Sequence, residues 1–199
     1  MKSLNLGVIG LVLAGGISLG AWMQASAKSQ QEPEAASAPE DQSADQPGPM
    51  HKQLMALSGE WITSTTFEMD GQMRGDAVAG IATLKSILDG RFLQQDESGT
   101  MNDLPFKATK IWGYNRHSNK YETTWLWTND TATLRGEGTS DDGGKTIRLE
   151  AGFEMEDGQS EAIVVTLSVT SVDAFDIEIA SKEGTKPFVR MVTKYSRKK

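Results

Sequence analysis

The sequence predicts an all-β protein, an antiparallel up-and-down meander of about ten strands closed into a barrel and led by one short helix. Three observations point there. Hairpin dipeptides recur along the chain: Asp70-Gly71, Asp89-Gly90, Asp142-Gly143 and Asp157-Gly158, with Glu183-Gly184 a weaker case. They mark tight turns because glycine accepts positive φ and aspartate tolerates it. Between them apolar and polar residues alternate with period two, as in Ile147, Leu149, Ala151 and Phe153 against Arg148, Glu150, Gly152 and Glu154. Only Met50 to Ser58 carries a helical period, with Met50, Leu54 and Leu57 on one face and Gly59 expected to end it.

The first 27 of the 199 residues read as an export signal. Lys2 gives a positive start, Leu6 to Ala21 is apolar and uncharged, and Ala25-Ser26-Ala27 is a small-residue cleavage site. The apolar run falls short of the ~20 residues a spanning helix needs, so cleavage after Ala27 and a periplasmic or secreted product are expected, with no stable membrane span afterwards. Residues 28–49 are Ser, Ala, Gln, Pro and Glu with almost no large apolar side chain, which is the composition of a disordered linker. Residues 50–199 are then one domain, long enough to bury a full core.

Charge and composition exclude several classes. The chain carries −7 overall, and −4 remains in residues 50–199 once Lys2, Lys28 and the linker carboxylates Glu32, Glu34, Glu40, Asp41 and Asp45 are set aside. A nucleic-acid partner needs a basic footprint that this balance lacks. There is no cysteine, so disulfides, thiol catalysis and thiolate metal sites are out, and stability rests on packing.

In the domain, strands are expected over residues 60–69, 76–87, 91–101, 105–114, 120–128, 131–139, 145–155, 161–171, 174–181 and 187–197. A flat open sheet of that many strands would expose two edges, so closure is the natural solution, with a two-sheet sandwich as the alternative. Ile163, Val165, Leu167 and Val169 share one face, as do Phe175, Ile177 and Ile179. Trp61, Thr63, Thr65 and Phe67 make a face of mixed polarity, and so do Tyr121, Thr123, Trp125 and Trp127. Mixed faces suit a cavity wall better than a dry core. Three of the five tryptophans fall between Ile111 and Asp130, so Trp112, Tyr114, Tyr121, Trp125 and Trp127 are the candidate ligand-lining residues.

Several segments in order carry a family likeness. They are Leu57-Ser58-Gly59-Glu60-Trp61; Leu88 to Leu93 with Gln94 to Met101; Pro105-Phe106; Gly113-Tyr114-Asn115 with Lys120-Tyr121 and Trp125; Glu137-Gly138-Thr139; Gly144-Lys145-Thr146; and Val192 to Lys199. From about Leu54 to the C-terminus the chain resembles the bacterial family of domains of unknown function numbered 1579. The resemblance implies a lipocalin-like, calycin-type barrel and brings no activity. One departure is Trp125-Leu126-Trp127, where the family's usual pattern is Trp-x-Asp. The Gly59-x-Trp61 pair also resembles the opening of lipocalins, where a Trp on the first strand packs under an Arg from the barrel's end. Arg197 is the candidate for that closing Arg, with Arg190 second.

No catalytic or metal constellation stands out. His51 and His117 are the only histidines, neither has a partner at metal-ligand spacing, and both are expected on the solvated surface. No His follows residue 117, which disfavours haem held near the C-terminal strand, and no cofactor is expected. Gly144-Lys145-Thr146 lacks the glycine of a phosphate loop and reads as a turn. Arg91, Asp96, Glu97 and Lys110 are expected on a solvated outer face; any one of them turned inward would read as a ligand anchor. Two functional readings follow. One is an exported binding protein holding a small, mostly apolar molecule in its lumen; the other is a structural or protein-interaction module with a filled barrel. An enzyme has the least support.

Overall fold

Alternating burial along nearly every strand curls one continuous sheet into a closed ring. The computed structural model describes residues 45–199 other than 102, 155–157 and 159, so the expected signal peptide and nearly all of the expected linker lie outside the described residues. The elements are α1 Pro49–Met55, β1 Gly59–Met69, β2 Gln72–Met73, β3 Val78–Ile87, β4 Phe92–Met101, β5 Leu104–Asn115, β6 Lys120–Trp127, β7 Leu134–Thr139, β8 Thr146–Glu154, β9 Ser160–Ser171, β10 Ala174–Ser181 and β11 Val189–Arg197. All pairings are antiparallel and follow sequence order from β3 to β11. β1 pairs with β3 on one side and with β11 on the other, which closes the ring; the two-residue β2 is a small extra ribbon on β1. The sandwich alternative is thereby set aside. Among the described residues no helix is long and apolar enough to cross a membrane.

The turn chemistry works as the dipeptides imply at Asp70-Gly71 and Asp89-Gly90, while Asp157 lies outside the described residues. At the β3–β4 turn Leu88, Asp89 and Gly90 all have positive φ, so the chain reverses within a few residues of Ile87. The two-residue β2 is the element that period-two reading does not reveal, because it is too short to show alternation.

The helix differs from expectation at both ends. It starts at Pro49, whose fixed φ suits the first helical position, and the Gly48 N–H donates to His51 Nδ1 at 3.1 Å. His51 is therefore buried, against the expectation of a solvated residue. Burial, then the nearby Arg116 guanidinium, lowers its pKa from 6.5. The Asp45 and Gln46 carbonyls accept from Arg91 and Arg116, so the last residues assigned by composition to the linker lie against the barrel. At the other end α1 stops at Met55 with Ala56 as its cap, before Gly59. Gly59 instead opens β1 at φ 144°, and the space its missing Cβ leaves is filled by the Arg197 guanidinium. A side chain there would displace the arginine, which explains the glycine two residues before Trp61.

Candidate functional site

The lumen divides into a packed half and an open half. Because the strands alternate in direction, the start of β1, the end of β5, the start of β6 and the end of β11 all meet at one end, where α1 also sits. Leu54, Leu57, Trp61, Leu84, Leu93, Trp112, Tyr121, Leu149, Leu167, Phe175 and Tyr195 pack there as a single buried cluster. Trp61 is fully buried; its indole N–H donates to the Leu57 carbonyl at 3.0 Å and its ring meets Phe175 edge-on at 4.7 Å. The Arg197 guanidinium lies 4.2 Å from the Trp61 ring and donates to the carbonyls of Ser58 and Val172. Arg190 is elsewhere, outside the ring, where it pairs with Glu178 and Glu68.

At the opposite end a cavity of about 300 Å³ opens, lined by side chains from nearly every barrel strand. Its walls are Phe67, Val78, Met101, Phe106, Ala108, Trp125, Trp127, Leu134, Phe153, Ile163, Ile179 and Met191. Its polar lining is Thr65, Thr193, Glu97 and Lys110, with Asn129 in addition. The two threonine hydroxyls bond each other at 2.9 Å.

The five aromatic candidates separate across this divide. Trp125 and Trp127 line the cavity. The Trp125 indole donates to Thr123 Oγ1 at 2.7 Å, and Trp127 meets Phe153 edge-on at 6.2 Å. Trp112, Tyr114 and Tyr121 are not on the cavity wall. They sit farther toward the packed end, because residues 112 and 114 lie at the end of β5 that faces α1. Trp112 is buried edge-to-face against Trp125 at 5.7 Å and donates to Gln95 Oε1 at 3.1 Å. Tyr114 packs on Tyr121 at 4.9 Å and on His51 at 5.9 Å, and the Tyr121 hydroxyl meets Met50 Sδ at 3.1 Å. Tyr114 and Tyr121 thus close the barrel against the helix, while Trp112 is buried in the packed half.

Two charged residues expected outside are inside. Lys110 and Glu97 form an ion pair at 2.8 Å with side chains 7% and 4% exposed. Asp96 does face outward, where Lys85, Gln94 and Thr109 hold it; burial raises its pKa, and those hydrogen bonds together outweigh that and lower it. Parity accounts for the difference. Glu97 shares a face with Leu93 and Gln95, and Lys110 with Ala108 and Trp112. In register Gln95 opposes Lys110 and Glu97 opposes Ala108, so the ion pair is the diagonal between β4 and β5. Long side chains bridge such a diagonal.

Around this pair is a hydrogen-bonded network at the floor of the cavity, where Glu97 and Lys110 are the members that line it. Glu97 Oε2 accepts from Lys110 Nζ, from Gln95 Nε2 at 3.2 Å and from the Tyr195 hydroxyl at 3.0 Å. The Tyr195 oxygen accepts from Gln95 Nε2 at 2.9 Å and from Lys110 Nζ at 3.3 Å. Lys110 Nζ also lies 4.5 Å from the Trp125 ring, a cation–π distance. Burial, and then the Glu97 carboxylate, pushes the Tyr195 phenol well above its ordinary 10, so Tyr195 remains a donor at neutral pH. Gln95 and Tyr195 escaped the sequence reading because an isolated Gln or Tyr carries no motif. The available signal was the shared face with Leu93 and, for Tyr195, with Thr193.

The fold and this half-filled lumen define a lipocalin-like barrel with a polar floor beneath an apolar mouth. The chain belongs to the family described as "Protein of unknown function (DUF1579)", whose model matches residues 46–197. No curated protein matches the chain. Among solved structures, the S-type phycobiliprotein lyase CPES from Guillardia theta is similar in fold, with 10% identity and a TM-score of 0.52 over 76% of this chain and 94% of that one. A redesigned beta barrel aligns at 14% identity and TM-score 0.41, covering 76% of this chain and 100% of its own. The protein EF1p2_mFAP2b bound to DFHBI aligns at 14% identity and TM-score 0.39, covering 75% and 99%.

Proposed function

We propose that the protein is an exported carrier that holds a small, mostly apolar molecule in the open half of its barrel. The supporting observation is the cavity of about 300 Å³ with aromatic and aliphatic walls and a few convergent polar groups on its floor. That combination is the usual make-up of a small-molecule site. Each square ångström of ligand surface moved from water into such walls contributes about 25 cal/mol. A barrel packed solid along its whole length would favour the interaction-module reading; packing at one end only favours the carrier.

Trp125 and Trp127 give the site its own reporter. Titration with an aromatic probe such as an anilinonaphthalene dye is expected to change tryptophan emission saturably, and replacing both residues with Ala is expected to weaken the response while the domain stays folded. Absence of a saturable response from any apolar probe overturns the carrier reading. The export half of the proposal rests on residues 1–27 and is tested by fractionation: a periplasmic form beginning at Lys28 is expected, and full-length protein held in the cytoplasm refutes it.

A further inference from the structure

The Glu97–Lys110 network of the polar floor has one open valence, an acceptor, and its sign specifies what the inner end of a ligand must offer. Glu97 Oε2 already accepts three hydrogen bonds, from Lys110, Gln95 and Tyr195. Glu97 Oε1 has no hydrogen-bond partner among the described residues. It is nevertheless not sealed off, because Ser58 Oγ is the one sealed side-chain atom without a partner among them. Glu97 is 6% exposed and lines the cavity, which is the open space beside its side chain on the inner face. The donors bonded to that carboxylate are spent. Lys110 Nζ is engaged by Glu97, by Tyr195 and by the face of Trp125. Gln95 and Tyr195 bond each other and the same carboxylate.

We infer that the site selects amphiphiles whose buried end is an uncharged hydrogen-bond donor, a hydroxyl or an amide N–H, and discriminates against fatty carboxylates. This rests on the carrier reading and names its ligand class. A hydroxyl reaching the floor donates to Glu97 Oε1 and fills the open valence without changing the buried charge. A carboxylate brings a second anion to an ammonium that Glu97 has already neutralised, and buries net negative charge. An ether of the same shape leaves Glu97 Oε1 without a donor once water is displaced, at the cost of an unmade hydrogen bond to a charged group. A site built to bond a hydroxyl therefore rejects both analogues.

The test compares three ligands of one size, decanol, decanoate and methyl nonyl ether, by calorimetry on the folded domain at neutral pH. Decanol is expected to bind about tenfold or more tightly than either of the others. Decanoate equal to or tighter than decanol overturns the charge argument, and ether equal to decanol overturns the donor argument. If none of the three binds, the carrier reading itself falls. Glu97→Gln removes the counter-charge of Lys110 and is expected to reverse the order, so that decanoate binds more tightly than decanol; an unchanged order overturns the assignment to Glu97. The double variant Glu97→Gln, Lys110→Met leaves no charge buried alone and serves where the single change unfolds the domain. It is expected to reduce the wild-type discrimination against decanoate, and discrimination kept at wild-type strength overturns the inference.

Discussion

The two ends of the barrel are built from the same strands by opposite rules. At the helix end aromatic rings meet one another and their polar atoms are satisfied locally: Trp61 by Leu57, Trp112 by Gln95. At the open end Trp125 and Trp127 line the cavity, with the Lys110 ammonium over the Trp125 ring. The same residue type thus serves as packing at one end and as a binding wall at the other. The difference is set by position along the strand, not by chemistry. The ion pair of Glu97 and Lys110 lies on the boundary, bonded to Gln95 and Tyr195 of the packed half while lining the cavity of the open half.

The contrast is sharpest in truncation. Trp61→Ala is expected to cost about 3–5 kcal/mol in urea unfolding, the range for a buried tryptophan. Trp127→Ala, which only widens a cavity that is already open, is expected to cost well under that. Equal losses at the two positions would erase the distinction between the ends. Next comes the boundary. Glu97→Ala strands a buried ammonium and is expected to cost about 3 kcal/mol, while changing Glu97 and Lys110 together to Leu and Met is expected to be neutral or stabilising. A double variant less stable than the single one would show that the pair holds the floor together and does more than balance charge. The smallest effect concerns His51. Its folded pKa lies below its unfolded value of 6.5, so the neutral form is favoured by folding. The stability this contributes is present above pH 6.5 and is lost as pH falls through 6.5 toward the folded pKa. His51→Gln is expected to flatten the melting temperature over that window, and an unchanged slope would remove His51 from the helix-end seal.

Most of the fold was legible because barrel strands write their own pattern. Alternation and turn dipeptides are local, and every expected strand lies within a few residues of an observed one. The site was only half legible. Trp125 and Trp127 carry the signal of large aromatic area, but the same signal in Trp112, Tyr114 and Tyr121 belongs to the packed half. Which aromatic lines a space depends on how far up the ring it stands, and that is fixed by the shear of the closed sheet, a non-local quantity. Glu97 and Lys110 fail differently. Each alone looks like a solvated charge, and only the β4–β5 register makes them partners. Parity with Leu93 and Trp112 was the readable clue, and average burial preferences outweighed it.

The ladder between β1 and β11 has a consequence for how the chain reaches this state. Arg197 bonds the Ser58 carbonyl across a separation of 139 residues, and β1 finds its second neighbour only in the last strand. Pairings of such long range are slow to form because the loop must be closed before any contact rewards it. Until the final residues arrive, β1 and β10 are bare edges able to template pairing with other chains. A nascent or C-terminally shortened chain is thus an aggregation hazard in a way the finished ring is not. Refolding is expected to show a slow closure phase that lengthens when the β1–β11 register is weakened, and chains lacking β11 are expected to associate in proportion to their concentration.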